Sequence, residues 1–163
     1  MIVQVYRVNV SAPNLVCVCV DSVTDGCPCG RLYNKYEVCG YRFGNVYELL
    51  KELENTCDLS NYPQRSTQER TFGENRGTMK EKKKAEQMVN ADEILEKSGE
   101  LATFVIHVKY RQNSTWQGDI FWAEKQEKCN FRSALEMLKL IDSALDSTEP
   151  DQEADSQGED ENV

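Results

Sequence analysis

Histidine and proline are scarce in this 163-residue chain, which has one of the first and four of the second. With His107 as the sole imidazole, a catalytic dyad would have to borrow it from a strand, and a multi-histidine metal site is excluded. No glycine-rich phosphate loop opens a helix. No apolar run approaches the roughly 20 residues that a bilayer-spanning helix requires. The opening MIVQVYRVNV alternates as a strand does, where a secretion signal would present a basic stretch and then an apolar block. These absences predict a cytoplasmic protein with no membrane association, no cofactor and no catalytic machinery. They leave the oligomeric state open.

Bases are missing from the last part of the chain. From Asp146 to Val163 there are eight acids, no base and no aromatic residue. Removing those eight leaves 20 acids against 19 bases, so the formal net charge of −9 becomes −1 for residues 1–145. A segment of that composition has too little apolar surface to offset its ordering entropy, and residues 147–163 are expected to form a disordered acidic tail.

What the chain does have is an internal echo. Val16–Asp58 lies on Phe104–Asp146 without a gap, matching Val20 with Val108, Gly30 with Gly118, Phe43 with Phe131, Glu48 with Glu136, Leu50 with Leu138 and Lys51 with Lys139. Val16, Val18 and Val20 alternate with Cys17, Cys19 and Asp21, just as Phe104, Ile106, Val108 and Tyr110 alternate with Val105, His107, Lys109 and Arg111. Period two puts the first set of each on a core face. A ten-residue turn region then leads to the shared glycine, which suits positive φ or close backbone approach. Second strands follow at Arg31–Asn34 and Asp119–Trp122, with Tyr36–Tyr41 and Glu124–Asn130 as candidates for a further short strand each.

Each unit closes with a helix. Asn45 with Glu48, and Ser133 with Glu136, have capping-box spacing. Behind them Val46, Leu49, Leu50, Leu53 and Cys57 match Ala134, Met137, Leu138, Ile141 and Leu145 as an apolar stripe. A lone hairpin with one helix is marginal, so the two units are expected to share one antiparallel sheet packed by two helices. The result is a single α+β domain over residues 1–146, with a first unit at about 15–58, a charged linker at 59–100 and a second unit at about 101–146. Ile2–Val10 is expected to add a strand, and Lys80–Lys97 carries a partial helical stripe.

Candidate binding residues concentrate in the second unit. Lys109 and Arg111 on one strand, with Phe121 and Trp122 on the next, interleave cations with aromatics as single-stranded nucleic acid requires; the bland alternative is a solvated sheet face. The turn holding Asn113 and Trp116 sets a tryptophan among polar residues. Trp116 is either an anchor for a partner or a cover for the sheet end, with Asn113 shaping the turn. Arg65–Lys84 carries seven bases against three acids, enough to grip phosphates or the chain's own tail, or simply to be solvated.

Seven cysteines, an odd number without a secretion signal, predict reduced thiols. Cys17-x-Cys19, Cys27-Pro-Cys29 and Cys39 do not have the spacing of the familiar zinc sites, and their counterparts Val105, His107, Thr115 and Gln117 give the second unit no matching ligand set, where a metal needed by the unit would be expected in both copies. No metal is assigned.

The stretch ATFVIHVKYRQNSTWQG followed by FRSALEMLKLIDSAL, Ala102–Leu145, resembles a family of small proteins of Gram-positive gut bacteria often carried on mobile elements. That resemblance implies an accessory protein and brings no chemistry. A duplicated strand-rich unit closed by a helix is similar in architecture to the PUR and Whirly-type single-stranded nucleic-acid-binding folds, whose units carry four strands. Arg65, Arg70, Asn113 and Gly118 partly resemble the arginine and turn motifs of PilZ domains, although Thr115 stands where a serine is expected. The expectation is therefore a non-catalytic binding protein, holding either single-stranded nucleic acid on a sheet face with the acidic tail competing for it, or a host protein anchored on Trp116.

Overall fold

The computed structural model describes residues 8–67, 70–73 and 86–148. Valine and cysteine alternation makes β1 (Val16–Thr24), which turns into β2 (Cys27–Asn34) and β3 (Glu37–Phe43) before α1 (Val46–Ser60). A short α2 (Ala91–Leu95) leads to β4 (Ala102–Tyr110), β5 (Gln117–Trp122), β6 (Glu127–Phe131) and α3 (Ala134–Asp146). The six strands form one antiparallel sheet in the order β3-β2-β1-β4-β5-β6. The α+β class is as expected, and the candidate third strands exist as β3 and β6.

Other expectations shift. Residues 8–10 are not strand, and the rest of the proposed Ile2–Val10 strand lies outside the described residues. Of the proposed helix at Lys80–Lys97, residues 80–85 lie outside the described residues, 86–90 are not helical, and only Ala91–Leu95 is a helix. The reason is a competing interaction: Met88 and Val89 donate their backbone N–H groups to Lys35 O, while Asn90 accepts from Asp92 N and starts the helix there. The acidic tail beyond residue 148 also lies outside the described residues.

The first turn is much shorter than the ten residues expected. Asp25 and Gly26, at φ 51° and 74°, form a two-residue hairpin connection with both residues left-handed. That geometry matches the right-handed twist of the flanking strands, and Asp-Gly is a strong sequence signal for it. Gly30 and Gly118 are not turn residues. They sit in β2 and β5 opposite Val20 and Val108, where a Cβ would lie 1.9 Å from Cys19 O and 2.0 Å from His107 O. Each stands beside an irregularity, where Asp21 and Lys109 are extra residues in their strands.

One face of the sheet carries α1 and α3. Leu49, Leu53 and Cys57 from α1, and Met137, Ile141 and Leu145 from α3, bury against Val16, Val18, Val20, Phe104, Ile106 and Val108. The caps are as expected: Asn45 Oδ1 accepts from Glu48 N at 2.9 Å and Ser133 Oγ from Glu136 N at 3.1 Å. Glu48 reaches back to Gly44 N instead of the cap's own N–H.

The other face is covered over its central strands, which corrects the expectation of a wholly outward sheet surface. Cys17 and Cys19 are fully buried beside Tyr33, Ile94 and Val89, and Val105 and Phe121 are buried with Leu15, Ala91 and Leu95. Both faces of β1 and β4 are apolar, and burying each aliphatic side chain contributes about 1.5–3 kcal/mol, so the segments before β1 and around α2 fold over them. Asn14 fastens this cover by donating to Val108 O at 2.7 Å, and Lys35 Nζ donates to Val10 O at 2.9 Å.

Gly118→Ala should destabilise the protein by about 1–3 kcal/mol in urea titration, because the methyl would overlap His107 O. Gly44→Ala, whose Cβ would meet only Glu48 Oε2 at 3.6 Å, should stay within about 0.5 kcal/mol of the parent.

Candidate functional site

The β4–β5 connection is longer than its β1–β2 counterpart and carries unusual residues. Thr115 N donates to Gln112 O at 3.1 Å across Asn113 and Ser114, both left-handed at φ 54° and 59°. Asn113 therefore shapes the turn, a role its short polar side chain favours. The segment after α1 is laced to this loop: Ser66 N donates to Arg111 O, Asn113 N donates to Ser66 Oγ at 3.1 Å, and Thr67 Oγ1 lies 3.0 Å from Ser114 Oγ.

Between loop, segment and helix lies a cleft of about 290 Å³ lined by Glu54, Arg65, Thr67, Arg70, Arg111, Ser114, Thr115 and Trp116. Arg111 forms its wall from below, 5% exposed, with Nη1 on Asp58 Oδ1 at 2.8 Å and Nε on Pro63 O at 2.7 Å. Arg65 Nη2 meets the second Asp58 oxygen at 3.2 Å and Glu54 Oε1 at 2.8 Å. Arg70 is exposed at the rim and has no ion pair among the described residues. Trp116 is half-buried, packing against the main core from the cleft side. It is thus cover for the sheet end and lining of the cleft at once.

The six residues singled out from the sequence do not share one surface. Arg111 and Trp116 line the cleft, with Asn113 on the loop beside it. Lys109 and Phe121 lie on the opposite face of the sheet, where they line a second cavity with His107. Trp122 points to the helix side, its ring 6.3 Å from that of Phe104. Adjacent residues on a strand face opposite ways, so Phe121 and Trp122 cannot act together. Arg111 and Lys109 are separated because Lys109 is the extra residue of the bulge, which breaks the alternation that had put them on one side. Arg65 and Arg70, part of the basic run in the sequence, also line the cleft. Their contribution depends on a loop crossing from α1 to the end of β4, marked by the Arg65–Arg111 bridge. Of the rest of the basic run, Arg76, Lys80, Lys82, Lys83 and Lys84 lie outside the described residues.

The cysteines are all free thiols. Cys17 and Cys19 lie 3.9 Å apart, and the hydrogen bond between them, aided by burial, raises the Cys17 thiol well above its ordinary 9.0. Burial pushes the Cys57 thiol up to about 11. Neither is a nucleophile at neutral pH. Among the described residues, no three His, Cys, Asp or Glu side chains converge as a metal-holding group, and no helix is long and apolar enough to cross a membrane.

Two measurable consequences follow from these charges. Asp58→Ala removes the carboxylate shared by two arginines and leaves the guanidinium of Arg111 buried, which should cost about 3–5 kcal/mol of stability in urea titration. His107 is buried, which together with Lys109 holds its pKa below the ordinary 6.5. The unfolded chain then takes up the proton first, so its contribution is complete above pH 6.5 and is lost as pH falls toward the folded value. The melting temperature of the parent should therefore drop more steeply from pH 7 to 5 than that of His107→Phe.

No family model, curated protein or solved structure matches this chain, so its function has to be argued from the residues.

Proposed function

We propose that the chain is a non-catalytic binding protein built on a duplicated β-β-β-α unit, and that the Trp116 cleft holds single-stranded nucleic acid. The duplication is supported by matching registers. Val20 opposes Gly30 and Gly30 opposes Phe43, while Val108 opposes Gly118 and Gly118 opposes Phe131. Val16 pairs with Ile106 and Val18 with Phe104, so Cys17 and Val105, counterparts in the two units, meet directly as a pseudo-twofold axis requires. Even the bulges correspond: Asp21 pairs with Arg31 at 2.9 Å, and Lys109 with Asp119 in the same two slots with the charges exchanged.

The observation that carries the binding reading is the meeting of Trp116 with Arg65, Arg70 and Arg111 around one cleft. Guanidinium groups supply charge for phosphates, and an indole supplies a face for a base. The hydroxyls of Thr67, Ser114 and Thr115 add donors at the rim. In this reading the contact surface is the end of the sheet, since the central strands are covered on the face opposite the helices. The first unit has only the Asp25–Gly26 turn at the corresponding place, so the site belongs to one copy.

A competing reading is a protein-interaction module anchored by Trp116. It is favoured by the pairing of Arg65 and Arg111 with Glu54 and Asp58, which leaves Arg70 as the cleft's uncompensated positive charge among the described residues. Fluorescence anisotropy with a labelled oligonucleotide distinguishes the two. Under the nucleic-acid reading, Trp116→Ala should weaken binding about tenfold to a hundredfold, as stacking contributes about 1–3 kcal/mol per base. Arg70→Ala should weaken it less and flatten its salt dependence. Absence of oligonucleotide binding at low salt, together with Trp116-dependent capture of a protein partner, would favour the second reading.

A further inference from the structure

The sheet face opposite α1 and α3 contains a small cavity that the proposed cleft does not use. Its volume is about 170 Å³, and it is lined by Val8, Asn9, Val105, His107, Lys109, Asp119, Phe121 and Lys128. Cross-strand pairing assembles it, because Val105 pairs with Phe121, His107 with Asp119, and Phe121 with Lys128, giving three neighbouring strands one common patch. Phe121 and Val105 are 2% and 3% exposed and make an apolar floor. Lys109 Nζ lies 2.6 Å and Lys128 Nζ 3.3 Å from the same Asp119 oxygen.

Among the described residues two ammonium groups thus face one carboxylate, leaving a single positive charge in excess. His107 does not change that count. The ring is buried and neutral, stacked 6.2 Å from Tyr62, and its Nε2 has no hydrogen-bond partner among the described residues. A buried imidazole nitrogen without a partner is costly, and a ligand able to bond to it would recover that cost. The facing groups are therefore a neutral histidine, two lysines and one aspartate, over a greasy floor.

We propose that this cavity binds a small organic carboxylate. One negative charge matches the lysine excess, and charge-assisted bonds to Lys109 and Lys128 orient it. The remainder of the molecule rests on Val105 and Phe121, with His107 beside it. In size, a cavity of about 150 Å³ lined by aliphatic and aromatic residues is enough to hold benzene, so a single ring or a short branched chain fits. Inorganic phosphate would satisfy the lysines but leave the floor unused, and a neutral ring would do the reverse.

His107 is the only histidine, so its ring signals report on this cavity without overlap. The full chain, isotope-labelled, is titrated near pH 7.5 with benzoate, benzyl alcohol and inorganic phosphate in turn, following the imidazole C–H resonances. Benzoate should produce a saturable shift of the His107 signals. Lys128→Met, a change at a side chain 39% exposed on the edge strand, should weaken benzoate at least about tenfold while leaving the melting temperature close to that of the parent. Trp116→Ala should leave it unchanged, which separates this site from the nucleic-acid cleft. The proposal is overturned if benzoate leaves the His107 signals unmoved, if benzyl alcohol or phosphate binds as tightly, or if Lys128→Met binds benzoate like the parent.

Discussion

The antiparallel pairing of β1 with β4 is the contact on which the rest of the structure depends. It runs from Val16 opposite Ile106 to Val20 opposite Ala102 and joins two three-stranded halves into one sheet. Without it each half would be a small meander with a single helix, too little to bury a stable core. The pairing also creates a demand, since the joined strands are apolar on both sides: Val18 and Phe104 toward the helices, Cys17 and Val105 away from them. Two helices satisfy the first side. The second is satisfied by the segment before β1 and by the stretch around α2, which lies within the expected linker.

That cover limits the exposed sheet surface. A six-stranded sheet with one bare face would offer a broad platform for a polymer, whereas this one leaves only its edge strands uncovered on that side. What remains is the end of the sheet, where the β4–β5 loop projects and the segment after α1 crosses it. The buried pair of Arg111 and Asp58 fixes that junction. Arg111 is held from three directions, by α1, by Pro63 O and by its own strand, so it positions the cleft more than it reaches into it. Arg70 is exposed at the rim of the cleft and Trp116 half-buried along it.

The bulges explain why residues that look equivalent in sequence act apart. An extra residue in β4 leaves Lys109 on the His107 side and turns Arg111 toward the end of α1. One irregularity thereby divides a single expected surface into two chemically different sites, one arginine-rich and open, the other small and apolar-floored. The same irregularity requires the glycine opposite it, because the strands there approach too closely for a Cβ.

From sequence alone, the helix caps at Asn45 and Ser133, the buried stripes of α1 and α3 and the alternation of β1 and β4 were all legible, since each arises from contacts within a few residues. The Asp25–Gly26 turn was equally local, and its signal outweighs the longer turn first expected there. Trp116 and Arg111 could be recognised as unusual, but their surroundings could not. Only tertiary structure decided that residues 86–95 cover the sheet, that Arg65 and Arg70 join Trp116, and that Lys109 and Phe121 face His107. These outcomes depend on contacts between residues far apart in the chain and on a one-residue break in strand alternation, and neither leaves a periodic trace in the amino-acid order.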